Sequence, residues 1–286
     1  MKLPGLTTLV TGGSQGLGRH IVEAFLAEGA HVVFCARTSE DVERTRAELQ
    51  PRLNPDQKLV GVTADVAEPT SVAALFARTA EVGPLHTVVN NAGVYGPIGP
   101  TETVDLAEWT RAWQINVTGV LLVCQHALRG MKPRRSGRII NISGGGATNP
   151  MPRLATYAAT KAALVRLTET LAEEYREDCI WVNAVAPGAL RTRMTQQVLA
   201  AGPQRAGAEF FAKNKKWSEE GAVDPRLGAA LCVHLASSEG EGITGKLISA
   251  QWDPWRNFAQ LRAELAGDVY TLRRIVPEDR GRKFSV

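Results

Sequence analysis

Tyr157 and Lys161 stand four residues apart in Tyr-Ala-Ala-Thr-Lys. On a helix, residues at that spacing lie on one face. A phenol and an ammonium placed together share one site, and the positive charge favours the phenolate and lowers the tyrosine pKa. A free tyrosine titrates near 10, and moving that value by one pH unit takes about 1.36 kcal/mol. Bringing the phenol near neutrality therefore takes roughly 4 kcal/mol of charge stabilisation. A tyrosine tuned in this way gives or takes a proton at physiological pH. The plainer reading is an ordinary surface pair on an amphipathic helix, since one short motif is weak by itself.

The elements that position this pair alternate along the chain. Strands are expected over Leu6–Thr11, His31–Ala36, Lys58–Thr63, Leu85–Asn90, Arg138–Ile142, Ile180–Val185 and Leu247–Ala250. Helices are expected over about Gly16–Glu28, Glu40–Gln50, Thr70–Glu81, Leu106–Gly130, Leu154–Arg176 and Leu227–Ala236. Apolar strands separated by helices predict a parallel sheet covered on both faces. Right-handed crossovers then make it a doubly wound, Rossmann-like α/β sheet of about seven strands. One catalytic domain is expected over residues 1–255. Residues 256–286 form a C-terminal extension packed on the body or on a neighbouring subunit. Tyr95–Pro100, Gly144–Pro152 and Leu190–Glu220 break the alternation and each follows a strand. They are the expected pocket walls, the last of them a lid.

Bulk properties narrow the function. The 286 residues carry a net charge of +4. Residues 256–286 hold seven Lys/Arg and four Asp/Glu, so they account for +3 of it and the rest is nearly balanced. That distribution argues against a nucleic-acid surface. No apolar run approaches the roughly 20 residues of a membrane helix, and the N-terminal residues do not resemble a secretory signal. Cys35, Cys124, Cys179 and Cys232 are far apart and are expected to be reduced, mostly buried thiols of a cytoplasmic protein. The five histidines form no ligand-spaced cluster, so no metal is expected.

Thr11-Gly-Gly-Ser-Gln-Gly-Leu-Gly18 lies between the first strand and the first helix. Glycines there let the chain turn tightly and let a pyrophosphate approach the backbone. The helix N-terminus adds free N–H groups and positive dipole. Gly12, Ser14, Gln15, Gly16, Leu17 and Gly18 are thus candidate dinucleotide contacts. A carboxylate at the end of the second strand would select NAD. This chain has Ala36 and then Arg37. A guanidinium can pair with a 2′-phosphate, so NADP(H) is preferred over NAD(H), the alternative being an exposed loop arginine. Neutral Gln15 supplies no second cation. Asp65 and Val66, after the third strand, are candidates for the adenine edge.

Together these residues resemble the short-chain dehydrogenase/reductase family, in its compact single-domain branch, over about residues 5–250. The motifs are Thr-Gly-Gly-Ser-Gln-Gly-Leu-Gly at 11–18, Asn-Asn-Ala-Gly at 90–93, Asn116, Asn-Ile-Ser at 141–143, Tyr157-x-x-x-Lys161, and Pro187-Gly188 with Thr192. The resemblance implies hydride transfer at a carbinol or carbonyl carbon, carried by the nicotinamide. Tyr157 would be the acid in reduction and the base in oxidation. Lys161 would lower its pKa and hold the nicotinamide ribose, and Asn116 would join a water relay, unless it only bonds the backbone. Asn91, Ala92 and Gly93 would line the cofactor. Pro187, Gly188 and Thr192 would contact its nicotinamide side. A homodimer or homotetramer is implied, with 106–130 and 154–176 as the main contact.

The chain departs from the family pattern at one decisive place. Relatives commonly read Asn-Ile-Ser-Ser, the second serine holding the substrate oxygen thirteen residues before the tyrosine. Here that position is Gly144, in Ser143-Gly-Gly-Gly. Either the loop slips and Ser143 supplies the hydroxyl, or Ser143 is structural and another group holds the oxygen. Adjacent strand positions face opposite ways, which makes a slip costly. Trp252 and Trp255 are candidates for an interface or a ring platform.

The function expected is NADP(H)-dependent exchange of a hydride with a ketone or secondary alcohol. Thr148, Asn149, Arg153, Gln196 and Gln197 favour a small polar substrate. The alternatives are a dinucleotide-binding sensor or scaffold with lost catalysis, and an epimerase using the cofactor transiently.

Overall fold

The computed structural model describes residues 1–282. The last four residues of the expected extension, 283–286, lie outside the described residues. Seven strands form one sheet: β1 Thr7–Thr11, β2 His31–Ala36, β3 Leu59–Thr63, β4 Leu85–Asn90, β5 Gly137–Ile142, β6 Ile180–Ala186 and β7 Leu247–Ser249. Their order is β3-β2-β1-β4-β5-β6-β7, and every pairing is parallel. The helices are α1 Gly16–Ala27, α2 Ser39–Leu49, α3 Pro69–Ala80, α4 Leu106–Trp113, α5 Gly119–Met131 and α6 Ala155–Glu174. They continue with α7 Arg193–Ala206, α8 Ala208–Glu220, α9 Pro225–Ala236 and the short α10 Arg262–Leu265.

The strands are apolar on both faces because both faces are covered. Successive residues alternate between two cores. Val10, Phe34, Val89, Ile140 and Val185 pack with Ile21, Phe25 and Leu231 of α1 and α9. Leu9, Val33, Val88, Ile139 and Val182 pack with Leu75, Val123 and Leu164 of α3, α5 and α6. The order reverses between β1 and β4, and the carboxyl ends of those strands open the crevice where a ligand binds in such sheets.

Two expectations change. The helix expected over Leu106–Gly130 is two helices joined by a π turn at Gln114–Thr118. Leu190–Glu220 is mostly helical, forming α7 and α8, with non-helical Gly202 before Pro203 and Gly207 between the two helices. Those breaks split the apolar period into short pieces, which hides it in the sequence.

The extension docks on its own chain. Phe258 is fully buried and Leu265 is buried in the α1–α9 core. The outward N–H of Leu247 donates to Tyr270 O at 2.7 Å, and that of Ser249 to Asp253 Oδ2 at 2.7 Å. The exposed edge of β7 is thereby closed, as edge strands require. Leu272 N donates to Glu169 Oε1 on α6 at 2.6 Å. Trp255 is core, its Nε1 donating to Ala250 O at 3.0 Å, whereas Trp252 is exposed.

Candidate active site

Tyr157 and Lys161 both lie near the start of α6, where that helix passes the carboxyl end of β5. Lys161 is 5 % exposed. Its Nζ donates to Ile142 O at 2.7 Å and lies 5.6 Å from the Tyr157 ring centroid. Burial pushes the ammonium down to about 8. Tyr157 is half-buried and meets Tyr95 edge-on, the ring centroids 4.8 Å apart. Burial first, and Tyr95 second, push the phenol up. This reverses the lowered tyrosine pKa expected from the spacing. The i,i+4 relation places the ammonium over the ring, but its hydrogen bond goes to a backbone carbonyl, and loss of water around the phenolate prevails.

Gly144 faces this phenol. A Cβ built on it would lie 2.7 Å from Tyr157 Oη. Its backbone is extended, φ 177°, so the conformation would accept any residue. The loop has therefore not slipped. Ser143 is buried, donates its N–H to Val185 O at 2.8 Å, and its hydroxyl meets no described group. Of the two readings of this loop, the geometry favours the one in which Ser143 is structural.

Asn116 sits in the π turn, a local widening often found at functional sites. Its Oδ1 accepts from Val94 N at 2.9 Å. Its Nδ2 donates to Val94 O at 2.8 Å and Thr160 Oγ1 at 3.1 Å. Thr160 in turn donates to Tyr157 O at 2.9 Å. The side chain thus ties the loop after β4 to the helix of Tyr157. Thr160 lies within Tyr-Ala-Ala-Thr-Lys, but nothing in its spacing announces this link. A Cβ on Gly93 would lie 3.3 Å from Asn116 Oδ1 and 3.6 Å from Lys161 Nζ, so glycine keeps that approach open.

The nucleotide end fits a dinucleotide. Gly12 and Gly16 have positive φ, 64° and 52°. Gln15 at the N-cap makes no side-chain cap, so the first N–H groups of α1 are uncapped by side chains. A Cβ on Gly18 would lie 2.1 Å from Gly12 O, which no side chain can satisfy. Gly18→Ala is expected to lose about 1–3 kcal/mol of stability through overpacking and to weaken dinucleotide binding, as thermal unfolding with and without NADPH will show. Ser14 and Leu17 are buried in this turn, and Ser14 O accepts from Thr45 Oγ1 at 3.3 Å.

Several predicted contacts carry structural bonds as well. Asn91 Nδ2 donates to Thr11 O and Gly12 O, both at 3.0 Å, and Ala92 N donates to Thr11 Oγ1 at 3.1 Å. The Asn91 amide therefore shapes the glycine turn from behind. Asp65 accepts from Ala67 N at 2.9 Å and pairs with Arg111. Val66 is buried. Arg37 is exposed at the carboxyl end of β2, with no ion pair among the described residues. Pro187 packs near Gly228, and Gly188 needs its φ of 90°. Thr192 caps α7, accepting from Met194 N at 3.2 Å, and its methyl lies 3.4 Å from where a Gly16 Cβ would sit. Thr192 and the glycine turn thus bound the same crevice.

The wall above Tyr157 is apolar. Ile98, Leu154, Val198 and Ala206 form its core, with Tyr95, Met151, Phe210 and Phe211 packed against them. Thr148, Asn149, Gln196 and Gln197 are exposed, and Arg153 Nη1 donates to Gln204 O at 3.3 Å. A separate groove of about 1000 Å³, between α1, α9 and Trp255, holds none of the predicted site residues.

Known proteins are similar to this chain in sequence and fold. The family model described as short chain dehydrogenase matches residues 6–202. A short-chain type dehydrogenase/reductase of Picea abies is 37% identical over 254 residues, covering 86% of this chain and 91% of that protein. A 3beta-hydroxysteroid dehydrogenase of Eggerthella lenta is 36% identical over 248 residues, covering 86% and 92%. The crystal structure of a variant actinorhodin polyketide ketoreductase with NADPH superimposes with a TM-score of 0.78 at 29% identity, covering 86% of this chain and 95% of that one. With a family model matching residues 6–202 and relatives above 30% identity covering most of its length, the chain belongs to the short-chain dehydrogenase/reductase family of oxidoreductases.

Proposed function

We propose that this chain is an NADP(H)-dependent reductase of apolar ketones, able to oxidise the matching secondary alcohols. The observation that carries the reading is the single site in which Tyr157, Lys161 and Gly144 converge at the carboxyl end of β5. When bound, the nicotinamide supplies the hydride to the carbonyl carbon or takes it from the carbinol carbon. Gly12, Ser14, Gln15, Gly16, Leu17 and Gly18 hold the pyrophosphate, Asp65 and Val66 the adenine, and Asn91, Ala92 and Gly93 the middle of the crevice. Pro187, Gly188 and Thr192 hold the far end, and Lys161 holds the ribose with the N–H groups that Ile142 leaves free. Tyr157, protonated at neutral pH because burial raises its pKa, gives its proton to the oxygen of the ketone. Lys161 and Asn116 stand behind it on the path by which that proton is replaced.

The apolar wall of Tyr95, Ile98, Met151, Phe210 and Phe211 favours a hydrophobic ring over the polar molecule expected from composition. The steroid-directed relative is consistent with that. Assay of wild-type protein with NADPH against menthone and androstenedione, and with NADP+ against gluconate, tests the reading. Reduction of the first two in preference to oxidation of the third supports it. Dinucleotide binding without turnover, unchanged by Tyr157→Phe, would establish the sensor reading instead.

Arg37 is the proposed partner of the 2′-phosphate. Losing a charge-assisted hydrogen bond costs about 1.5–3 kcal/mol, so Arg37→Asp is expected to weaken NADPH binding by roughly 10–100-fold. NADH affinity should hold or improve, and fluorescence titration with both dinucleotides measures the switch. The protein is proposed to act in the cytoplasm. No helix among the described residues is long and apolar enough to cross a membrane. It is also proposed to self-associate as a homodimer or homotetramer. Leu106 and Leu121 are exposed on α4 and α5, while part of the outer face of α6 is taken by Leu272. Light scattering on the purified chain tests this.

A further inference from the structure

Resting on the reductase reading above, we propose that Tyr95 holds the substrate oxygen, in the role that a serine at position 144 would otherwise fill. The ketone oxygen is gripped between two phenols, Tyr157 giving the proton and Tyr95 donating a hydrogen bond.

Three observations support this. First, side-chain donors are missing where one is expected. Gly144 has none, and the Ser143 hydroxyl is closed off from solvent. The space a Cβ would need at position 144 ends 2.7 Å from Tyr157 Oη, so the phenol stands where a serine side chain would begin. Second, Tyr95 borders the same space. Its ring meets Tyr157 at 78° with 4.8 Å between centroids, and it lines the same apolar wall. Its hydroxyl bonds no described residue and is not among the buried polar atoms without partners, so it is free to meet a ligand. Burial pushes its pKa up to about 12, which keeps it a donor across the working pH range.

Third, Tyr95 is held in place from both sides. Both polar groups of the Val94 backbone are bound by the Asn116 amide. Gly96, with φ 72°, lies so close to α4 and α6 that a Cβ would come within 2.8 Å of Ala112 Cβ and 3.2 Å of Thr156 Cγ2. A donor fixed before the substrate arrives stabilises developing charge without reorganisation, which is the condition for a large effect.

The test compares wild type and Tyr95→Phe with NADPH and menthone. Tyr95→Phe is expected to lower kcat/KM about 100-fold while leaving NADPH affinity and the unfolding temperature unchanged. A second readout needs no turnover. In Tyr157→Phe protein, calorimetric affinity for menthone should fall about tenfold when Tyr95→Phe is added, in keeping with the loss of one hydrogen bond. Tyr95→Phe with wild-type kcat/KM and unchanged menthone affinity would overturn the proposal. A loss that tracks reduced NADPH affinity and stability would also overturn it, by assigning Tyr95 a packing role. If instead the wild type binds NADPH and does not reduce menthone, the reductase reading of the site fails, an outcome separate from either of these.

Discussion

Tyr157→Phe is expected to lower kcat/KM for ketone reduction on the order of 1000-fold, within the range that a positioned acid supplies. NADPH affinity should stay within a factor of about two, because the hydroxyl lies at the substrate side and the ring remains. Stability should hold for the same reason. The Tyr157 hydroxyl makes no hydrogen bond to a described residue, and the edge-on contact with Tyr95 survives in phenylalanine. Since burial keeps the wild-type phenol protonated, reduction should vary little from about pH 6 to 8, whereas oxidation, which needs the phenolate, should climb with pH. Steady-state rates in both directions across pH check this. A reduction profile that collapses near pH 7 would show the phenol titrating there, as the helical spacing alone suggested.

Lys161→Met is expected to abolish most activity and yet to stabilise the protein. The ammonium is almost fully buried with a single hydrogen bond, and its pKa falls from 10.5 to about 8. The folded state therefore disfavours the charged form. Below pH 8 both states carry the proton, and the folded state bears a cost of about 3 kcal/mol. Between pH 8 and 10.5 the unfolded chain binds more protons than the folded one, so stability rises with pH. Above 10.5 both are neutral and the cost is gone. Methionine fills a similar volume without charge. The variant should be more stable than wild type at pH 7 by up to about 3 kcal/mol, and the difference should vanish as pH passes through that window. Denaturant unfolding of both proteins at a series of pH values measures the difference. A variant less stable at pH 7 would mean that the ammonium is satisfied by groups beyond Ile142 O. The trade is typical of a functional site, where a residue is kept for chemistry at a cost in stability.

Much of the scaffold was legible along the chain. The seven strands lie within one or two residues of their apolar runs, because a sheet covered on both faces needs uninterrupted hydrophobic residues. The glycine turn was legible because its backbone angles and its contacts admit no side chain at Gly12 or Gly18. The π turn at Gln114–Thr118 was not, since one extra residue in a helical ladder leaves no mark on residue type. Nor were α7 and α8, whose period is cut at Gly202 and Gly207. The polarity of the pocket was not legible for a related reason. Thr148, Asn149, Gln196 and Gln197 lie in the right segments, but composition does not say which way a side chain faces.

By itself the sequence determined the sheet, the place of the dinucleotide turn, and the pairing of Tyr157 with Lys161, because each depends on local period or local sterics. Gly144 was also identified by counting. The tertiary structure alone decided the electrostatics of that pair, because a pKa depends on how much water the surrounding chain removes, and spacing along one helix carries no record of it. Tertiary packing alone also brought Tyr95, sixty-two residues earlier in the chain, against Tyr157, and so made it a candidate for the hydroxyl that position 144 lacks.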